Sequence, residues 1–250
     1  MTTLITGASS GIGEACARRF AREGWRLILT GRRAERLEQL ADELAIAHQT
    51  ESLVLVFDIR DREETAQVLG SLPDEWKDID LLVNNAGLAA GLDPIQSGDI
   101  DDWETMIDTN IKGLLYVTRA VSPGMVARGS GHIINIGSVA GREVYPNGAV
   151  YSATKHAVDA LSKGMRIDLL PHGIKVTQIA PGAAETEFSM VRFKGDQSRA
   201  AGVYAGYTPL TGDDIAELCH YVTTLPAHVN INDLLVMPLA QAGALVWHKT

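Results

Sequence analysis

Thr6-Gly7-Ala8-Ser9-Ser10-Gly11-Ile12-Gly13 decides how the rest of the chain is read. It falls between an apolar stretch around Leu4-Ile5 and a segment, Ile12 to Glu23, that carries Ala15, Ala17, Phe20 and Ala21 at helical spacing. Glycines between a strand and a helix permit a tight turn and let the backbone approach a pyrophosphate. The positive end of the helix then holds that anion on its free amides. The turn predicts a dinucleotide site made by Gly7, Ser9, Ser10, Gly11, Ile12 and Gly13. By itself the motif is also compatible with a plain strand-to-helix connection.

Outward from this turn, strand-like and helix-like segments alternate. Trp25 to Thr30, Leu53 to Phe57, Ile79 to Val83, Ile133 to Ile136, Lys175 to Ile179 and Leu234 to Met237 read as strands. Between them, Ala34 to Ala47, Arg62 to Leu72, Asp102 to Arg128, Tyr151 to Leu170 and Gly212 to Thr224 read as helices, the third bent near Thr109-Asn110. Near-continuous apolar strands indicate a sheet covered on both faces. Repeated β-α units then predict an α/β fold, a doubly wound parallel sheet of Rossmann type, in one domain spanning residues 1–250. The polar, irregular stretch from Ala183 to Tyr207 interrupts the pattern and is expected to form a mobile substrate lid.

Composition narrows the function. Hydrophobic residues make up 46% and charged ones 21%, which supports a substantial core rather than disorder. A net charge of −9 argues against nucleic acid or an acidic membrane as partner, while leaving room for a local basic spot around a cofactor phosphate. Two cysteines, Cys16 and Cys219, form no disulfide framework and fit a reducing cytoplasm. No clustered Cys or His suggests a metal. The longest apolar stretch, Leu234 to Trp247, is broken by Pro238 and Gln241 and is too short to span a bilayer, so a soluble protein is expected.

The second strand runs into Leu29-Thr30-Gly31-Arg32-Arg33. An NAD site places an acid here for the ribose 2′-hydroxyl, whereas arginine accommodates a 2′-phosphate. Arg32 and Arg33 with no acid beside them predict NADP rather than NAD; the alternative is that they merely open a solvated helix, as Arg36 does. Asp58-Ile59, after the third strand, suits the adenine, with Asp58 otherwise a turn residue or helix cap. Asn84-Asn85-Ala86-Gly87 leaves room for a flat ring or ribose, and its asparagines can tie neighbouring strands together; a plain turn is the alternative.

Tyr151 and Lys155 stand four apart at the start of a helix and so share a face. A neighbouring ammonium favours the phenolate and would bring the phenol's pKa down from about 10, making it a usable acid and base. Ser138, at the carboxyl end of the strand Ile133 to Ile136, sits where open α/β sheets bind ligands and could hydrogen-bond a substrate oxygen. A surface pair on a helix is the competing reading of Tyr151 and Lys155.

Together the glycine turn, Asn84 to Gly87, Ser138, Tyr151-x-x-x-Lys155 and Pro181-Gly182 resemble the short-chain dehydrogenase/reductase family over essentially the whole chain. The resemblance implies that Tyr151 is the acid/base, that Lys155 lowers its pKa and holds the nicotinamide ribose, and that Ser138 orients the substrate. It also implies that Asn110 bends a helix and positions a water leading to the lysine, and that Pro181, Gly182 and Thr186 lie over the nicotinamide. A homotetramer is the usual family assembly, and the apolar tail from Leu239 to Trp247 could supply a partner surface or fold back on its own domain.

Within the family, Asp102 to Asn110, Glu185 to Arg192 and Leu225 to Asn232 resemble the NADP-dependent 3-hydroxy acid dehydrogenases, including serine and L-allo-threonine dehydrogenases. Such substrates carry a carboxylate, and Arg192 in the lid is the candidate to read it, unless it is a surface arginine. The stretch from Gly141 to Ala160 resembles the general family more than this branch, and Arg142 with Glu143 could contact a polar substrate or pair with each other. The expected activity is hydride transfer between NADP(H) and a small 3-hydroxy acid or its semialdehyde. A broad carbonyl reductase and a non-catalytic NADP-binding regulator are the alternatives.

Overall fold

The apolar runs become strands, and in the five central ones the side chains are buried on both faces, while the edge strands are partly exposed. The computed structural model describes residues 1–250. In chain order it contains β1 (Thr2–Thr6), α1 (Gly11–Arg22), β2 (Arg26–Gly31), α2 (Ala34–His48), β3 (Ser52–Val56), α3 (Arg62–Gly70) and β4 (Leu81–Asn84). Then follow α4 (Ile100–Ile107), α5 (Leu114–Arg128), β5 (Gly131–Ile136), α6 (Ala149–Leu169) and β6 (Ile174–Pro181). The chain continues through α7 (Phe188–Arg192), α8 (Gln197–Val203), α9 (Gly212–Thr223) and β7 (Asp233–Val236).

All seven strands pair in parallel in the order β3-β2-β1-β4-β5-β6-β7. This is the doubly wound α/β sheet expected from the pattern. The order reverses between β1 and β4, which opens a crevice at their carboxyl ends, where such folds bind ligands.

Successive strand residues point to opposite faces, so the core divides cleanly. Ile5, Leu29, Val83 and Ile134 pack with Phe20 of α1, Leu37 of α2 and Ile215 of α9 on one side. Their neighbours Leu4, Ile28, Leu82 and Ile133 pack with Leu69 of α3 and Val117 and Met125 of α5 on the other. Each fully buried Leu, Ile or Phe contributes roughly 1.5–3 kcal/mol, so the strands are fixed in register by both layers at once.

The expected bend in the fourth helical stretch is a π-helical turn, Asp108–Gly113, between α4 and α5. At its end Gly113 packs tightly on Ile59: a Cβ there would lie 2.7 Å from that side chain. Asp99 caps the start of α4 by accepting from the Asp101 amide at 3.0 Å, and Gly129 ends α5 in the left-handed region at φ 65°. The 183–207 segment, expected to be irregular, is built around α7 and α8, with Asp196 capping α8 through the amides of Ser198 and Arg199. Beyond β7 the apolar tail folds back on its own chain, where Gln241 and Trp247 form an antiparallel bridge.

Candidate active site

The glycine turn between β1 and α1 is shaped by close backbone approach. Gly7 and Gly11 sit at φ 66° and 56°, in the left-handed region that glycine adopts without strain. A Cβ on Gly11 would come within 3.1 Å of Thr186, and one on Gly13 within 2.4 Å of the Gly7 carbonyl oxygen. Ser10, the residue before α1, makes no side-chain cap, so the first amides of the helix are left for an anion.

A cavity of about 500 Å³ runs along the carboxyl ends of the strands from this turn. It is lined at one end by Gly7, Ser9, Ser10, Gly11, Ile12, Arg32, Arg33, Asp58 and Ile59. Further along come Asn85, Ala86, Gly87, Ser138, Tyr151, Lys155, Pro181, Gly182, Thr186 and Arg192. Three predicted residues stand behind the wall rather than in it. Asn84 is turned into the core, where its amide donates to Asn135 and Thr118 at 2.9 Å and ties β4 to β5 and α5. Gly13 packs α1 against the turn. Asn110 is buried, and its side chain clamps the loop after β4 to α6: Oδ1 accepts from the Leu88 amide at 2.9 Å, while Nδ2 donates to the Leu88 carbonyl at 2.8 Å and the Thr154 hydroxyl at 3.0 Å.

The end of the cavity at the glycine turn carries a cluster of basic residues. Arg33 lies across the turn, donating from Nε to the Ser9 hydroxyl at 3.1 Å and from Nη2 to the Ser10 hydroxyl at 2.7 Å. Arg32 stands 3.7 Å from Asp58, which accepts from Arg60 at 2.6 Å; the cap of α3 is Asp61 instead. Arg36, expected to be merely solvated, donates to Glu187 at 2.5 Å, and Arg33 donates to the same carboxylate at 2.8 Å. Uncapped helix amides, a glycine cradle and an arginine-serine cluster at the end of β2 fit a dinucleotide bearing a 2′-phosphate.

At the other end Tyr151 and Lys155 lie on one face of α6, both buried. Lys155 donates from Nζ to the Ile136 carbonyl at 3.0 Å, with Nζ 5.9 Å from the centroid of the Tyr151 ring. Burial pushes the Lys155 ammonium down to about 8. Burial also raises the Tyr151 phenol well above its usual value, helped by Tyr145, while the Ser138 hydroxyl and the Arg192 guanidinium pull it back down. The direction is opposite to the sequence expectation, which counted the neighbouring ammonium but not the loss of water. A phenol in this state is a proton donor at rest.

Arg192 comes into the cavity from α7. Its guanidinium lies 5.3–5.8 Å from the rings of Tyr145, Tyr151 and Phe188, and Nη2 donates to the Tyr145 hydroxyl. Its Nε is buried without a hydrogen-bond partner. A buried cationic N–H left open beside the Tyr151 phenol is a donor waiting for an acceptor, because such a group is costly to leave unpaired.

Arg142 and Glu143 do not pair with each other. Arg142 bridges Asp159 of α6 and Asp233 of β7, and Glu143 accepts from the Ala244 amide at 2.8 Å. Sequence reasoning missed the tail as a wall of the cavity: Gln241, Ala244 and Trp247 all line it. Gln241 accepts from the Ala183 amide at 2.9 Å, lying so close over Gly182 that a Cβ there would meet its Oε1 at 2.3 Å. Gly182 was the one available signal. Tyr145 and Phe188 were also missed, their aromatic rings being indistinguishable from core in a single sequence.

A family model described as short chain dehydrogenase matches residues 1–197. The chain belongs to this family. The dehydrogenase is 53% identical over 245 residues to an NADP-dependent 3-hydroxy acid dehydrogenase of Salmonella typhi, covering 98% of this chain and 97% of that one. It is 52% identical over 240 residues to sulfoacetaldehyde reductase 2 of Chromohalobacter salexigens, covering 96% and 94%. Among solved structures, the closed form of serine dehydrogenase complexed with NADP+ superposes with a TM-score of 0.94 at 50% identity, covering both chains fully.

Proposed function

We propose that the chain is an NADP-dependent dehydrogenase of small 3-hydroxy acids, of the serine, L-allo-threonine or 3-hydroxypropionate type, acting also on the corresponding semialdehydes. Tyr151 exchanges the proton of the substrate hydroxyl, Ser138 orients that oxygen, and Lys155 supplies positive charge and a hold on the ribose. NADP, when bound, supplies the hydride acceptor. Gly7, Ser9, Ser10, Gly11 and Ile12 hold its pyrophosphate, Arg32 and Arg33 its 2′-phosphate, and Pro181, Gly182 and Thr186 its nicotinamide. Gly13 packs α1 against the turn, and Asn110, in the bend before α5, positions a water leading to Lys155. Residues 183–207 form the substrate lid of this single-domain enzyme.

The observation that carries the substrate reading is Arg192, whose partnerless Nε sits beside Tyr151. A fork of N–H donors suits a carboxylate one carbon beyond the reacting carbinol. The same cation suits a sulfonate, and the likeness to a sulfoacetaldehyde reductase favours that as a second reading.

A screen of serine, L-allo-threonine, 3-hydroxypropionate, isethionate and uncharged alcohols, each with NADP and NAD, tests the proposal. Turnover is expected with the acids and NADP. Arg192→Met is expected to raise KM for them about 100-fold while changing an uncharged aldehyde's KM little. Equal effects on both would favour a broad carbonyl reductase, and no turnover of any of them a non-catalytic regulator.

We also infer a cytoplasmic homotetramer. The reduced, buried Cys16 and Cys219 support the compartment. The parallel edge strand β7 with exposed Leu235, near exposed Leu239, supports the assembly. Light scattering on the purified protein checks the mass. No helix is long and apolar enough to cross a membrane.

A further inference from the structure

Arg33 has its donors assigned on three sides. Nε and Nη2 fasten it to Ser9 and Ser10 of the glycine turn, and Nη1 meets Glu187 at 2.8 Å. The other oxygen of that carboxylate takes Arg36 at 2.5 Å. Glu187 belongs to the lid and immediately precedes α7. The arginines read as the 2′-phosphate end therefore already carry an anion, and that anion is a lid side chain.

The next residues carry the contact toward the chemistry. Thr186 lies against Gly11 of the pyrophosphate turn, and its hydroxyl accepts from the Phe188 amide at 3.2 Å. Phe188 lies with its ring centroid 5.5 Å from that of Tyr151, and Arg192 ends the same short helix. One turn and a half of helix thus joins the adenosine end of the cavity to the phenol.

We propose that Glu187 is a specificity-determining residue that competes with the 2′-phosphate of NADP for Arg33 and Arg36, so that NADP, unlike NAD, unfastens the root of the lid. The inference rests on the NADP reading above. A phosphate monoester carries more charge than a carboxylate and accepts as well from arginine forks, so it displaces Glu187, whereas an unphosphorylated ribose cannot. The affinity for NADP is lowered by the cost of that displacement. In exchange, lid position is made to depend on which dinucleotide is present. The hydrogen bonds are strong enough to hold Glu187 ionised: burial pushes its carboxyl up, but Arg33 and Arg36 hold it at about 2. Half-exposed arginines and glutamate leave the fold itself indifferent to the pair.

The test uses the full chain and Glu187→Gln with 2′,5′-ADP and 5′-AMP, which differ in the 2′-phosphate. Calorimetric titration is expected to show 2′,5′-ADP binding about 5- to 10-fold tighter to Glu187→Gln than to the wild type, with 5′-AMP unchanged. Trypsin cleavage after Lys194 is expected to accelerate severalfold when 2′,5′-ADP, but not 5′-AMP, is added to the wild type. In Glu187→Gln it should be fast from the start and insensitive to either. Equal shifts for the two nucleotides, or no shift, overturn the competition, as does a lid cleaved at one rate in all samples. A wild type that binds neither 2′,5′-ADP nor NADP overturns the cofactor reading and this inference with it, whereas NADP binding with no change in Glu187→Gln overturns the inference alone.

Discussion

The guanidinium of Arg192 lies 5.3 Å from the centroid of the Tyr151 ring, so the cation read as the substrate's anchor is also the one that pulls the phenol's pKa down. Removing it has two separable effects. Arg192→Met should lose affinity for anionic substrates and also slow oxidation at neutral pH about tenfold for any alcohol, because the phenolate becomes harder to reach. Arg192→Lys keeps the charge without the fork, so its kcat should recover more than its KM. Steady-state kinetics with a charged and an uncharged substrate separate the two.

Lys155 gives the enzyme a pH limit. Its ammonium, held near 8 by burial, is charged below that pH and lost above it. Reduction of an aldehyde should therefore be level around neutrality and fall as pH rises through about 8, with the descending limb absent from the residual activity of Lys155→Met. The sign for stability is the reverse. A lysine whose pKa drops on folding favours the unfolded chain at low pH, and this penalty is relieved between about 8 and the free value of 10.5. Rate profiles and urea midpoints across pH 6–10 check both.

His132 acts on stability in the same direction as Lys155, at lower pH. It is buried on β5 against the Thr177 hydroxyl at 2.8 Å, and burial depresses its pKa to about 4, with Lys175 adding to the effect. The unfolded chain takes up this proton near 6.5 and the folded one does not, so stability falls as pH drops from 6.5 toward 4. By pH 5 the loss from this group is about 2 kcal/mol. His132→Asn should lose correspondingly less between pH 7 and 5 in urea titrations.

Glu143 holds the tail. Its carboxylate accepts from the Ala244 amide at 2.8 Å, in the stretch that brings Gln241 and Trp247 to the cavity. Glu143→Ala should raise substrate KM about 5- to 10-fold and leave the Kd of NADP within twofold. The melting temperature should fall only slightly, since a partly exposed hydrogen bond is worth about 1 kcal/mol. Kinetics and a thermal melt suffice.

The sheet was legible in the sequence because its information is local. Leu4-Ile5, Leu27 to Leu29 and Leu81 to Val83 are apolar enough to be strands wherever they lie, and the turn glycines mark where chain direction changes. The bend at Thr109-Asn110 was legible only through the resemblance of Asn110 to the family's helix-bending asparagine. Glu187 on Arg33 could not, since the two stand 154 residues apart and meet only when the segment before α7 has folded over the turn. Nor could the tail's place over Gly182. The asparagines tie neighbouring strands as the motif suggested, Asn84 to Asn135 of β5 and Asn85 to Thr6 of β1, but only Asn85, just past the strand, also reaches the cavity. The Tyr151 phenol was misjudged because charge can be read from spacing, whereas water exclusion depends on everything packed above α6.

Arg142 clasps Asp159 on the catalytic helix and Asp233 on the last strand at once. During synthesis the two are far apart in time. The ribosome releases Tyr151 and Lys155 well before β7, so a nascent chain can carry the whole catalytic sequence while its helix still lacks the final strand's support. Competence should then arrive late and abruptly, once residue 233 clears the exit tunnel and Val236 can accept from the Gly182 amide at 2.6 Å.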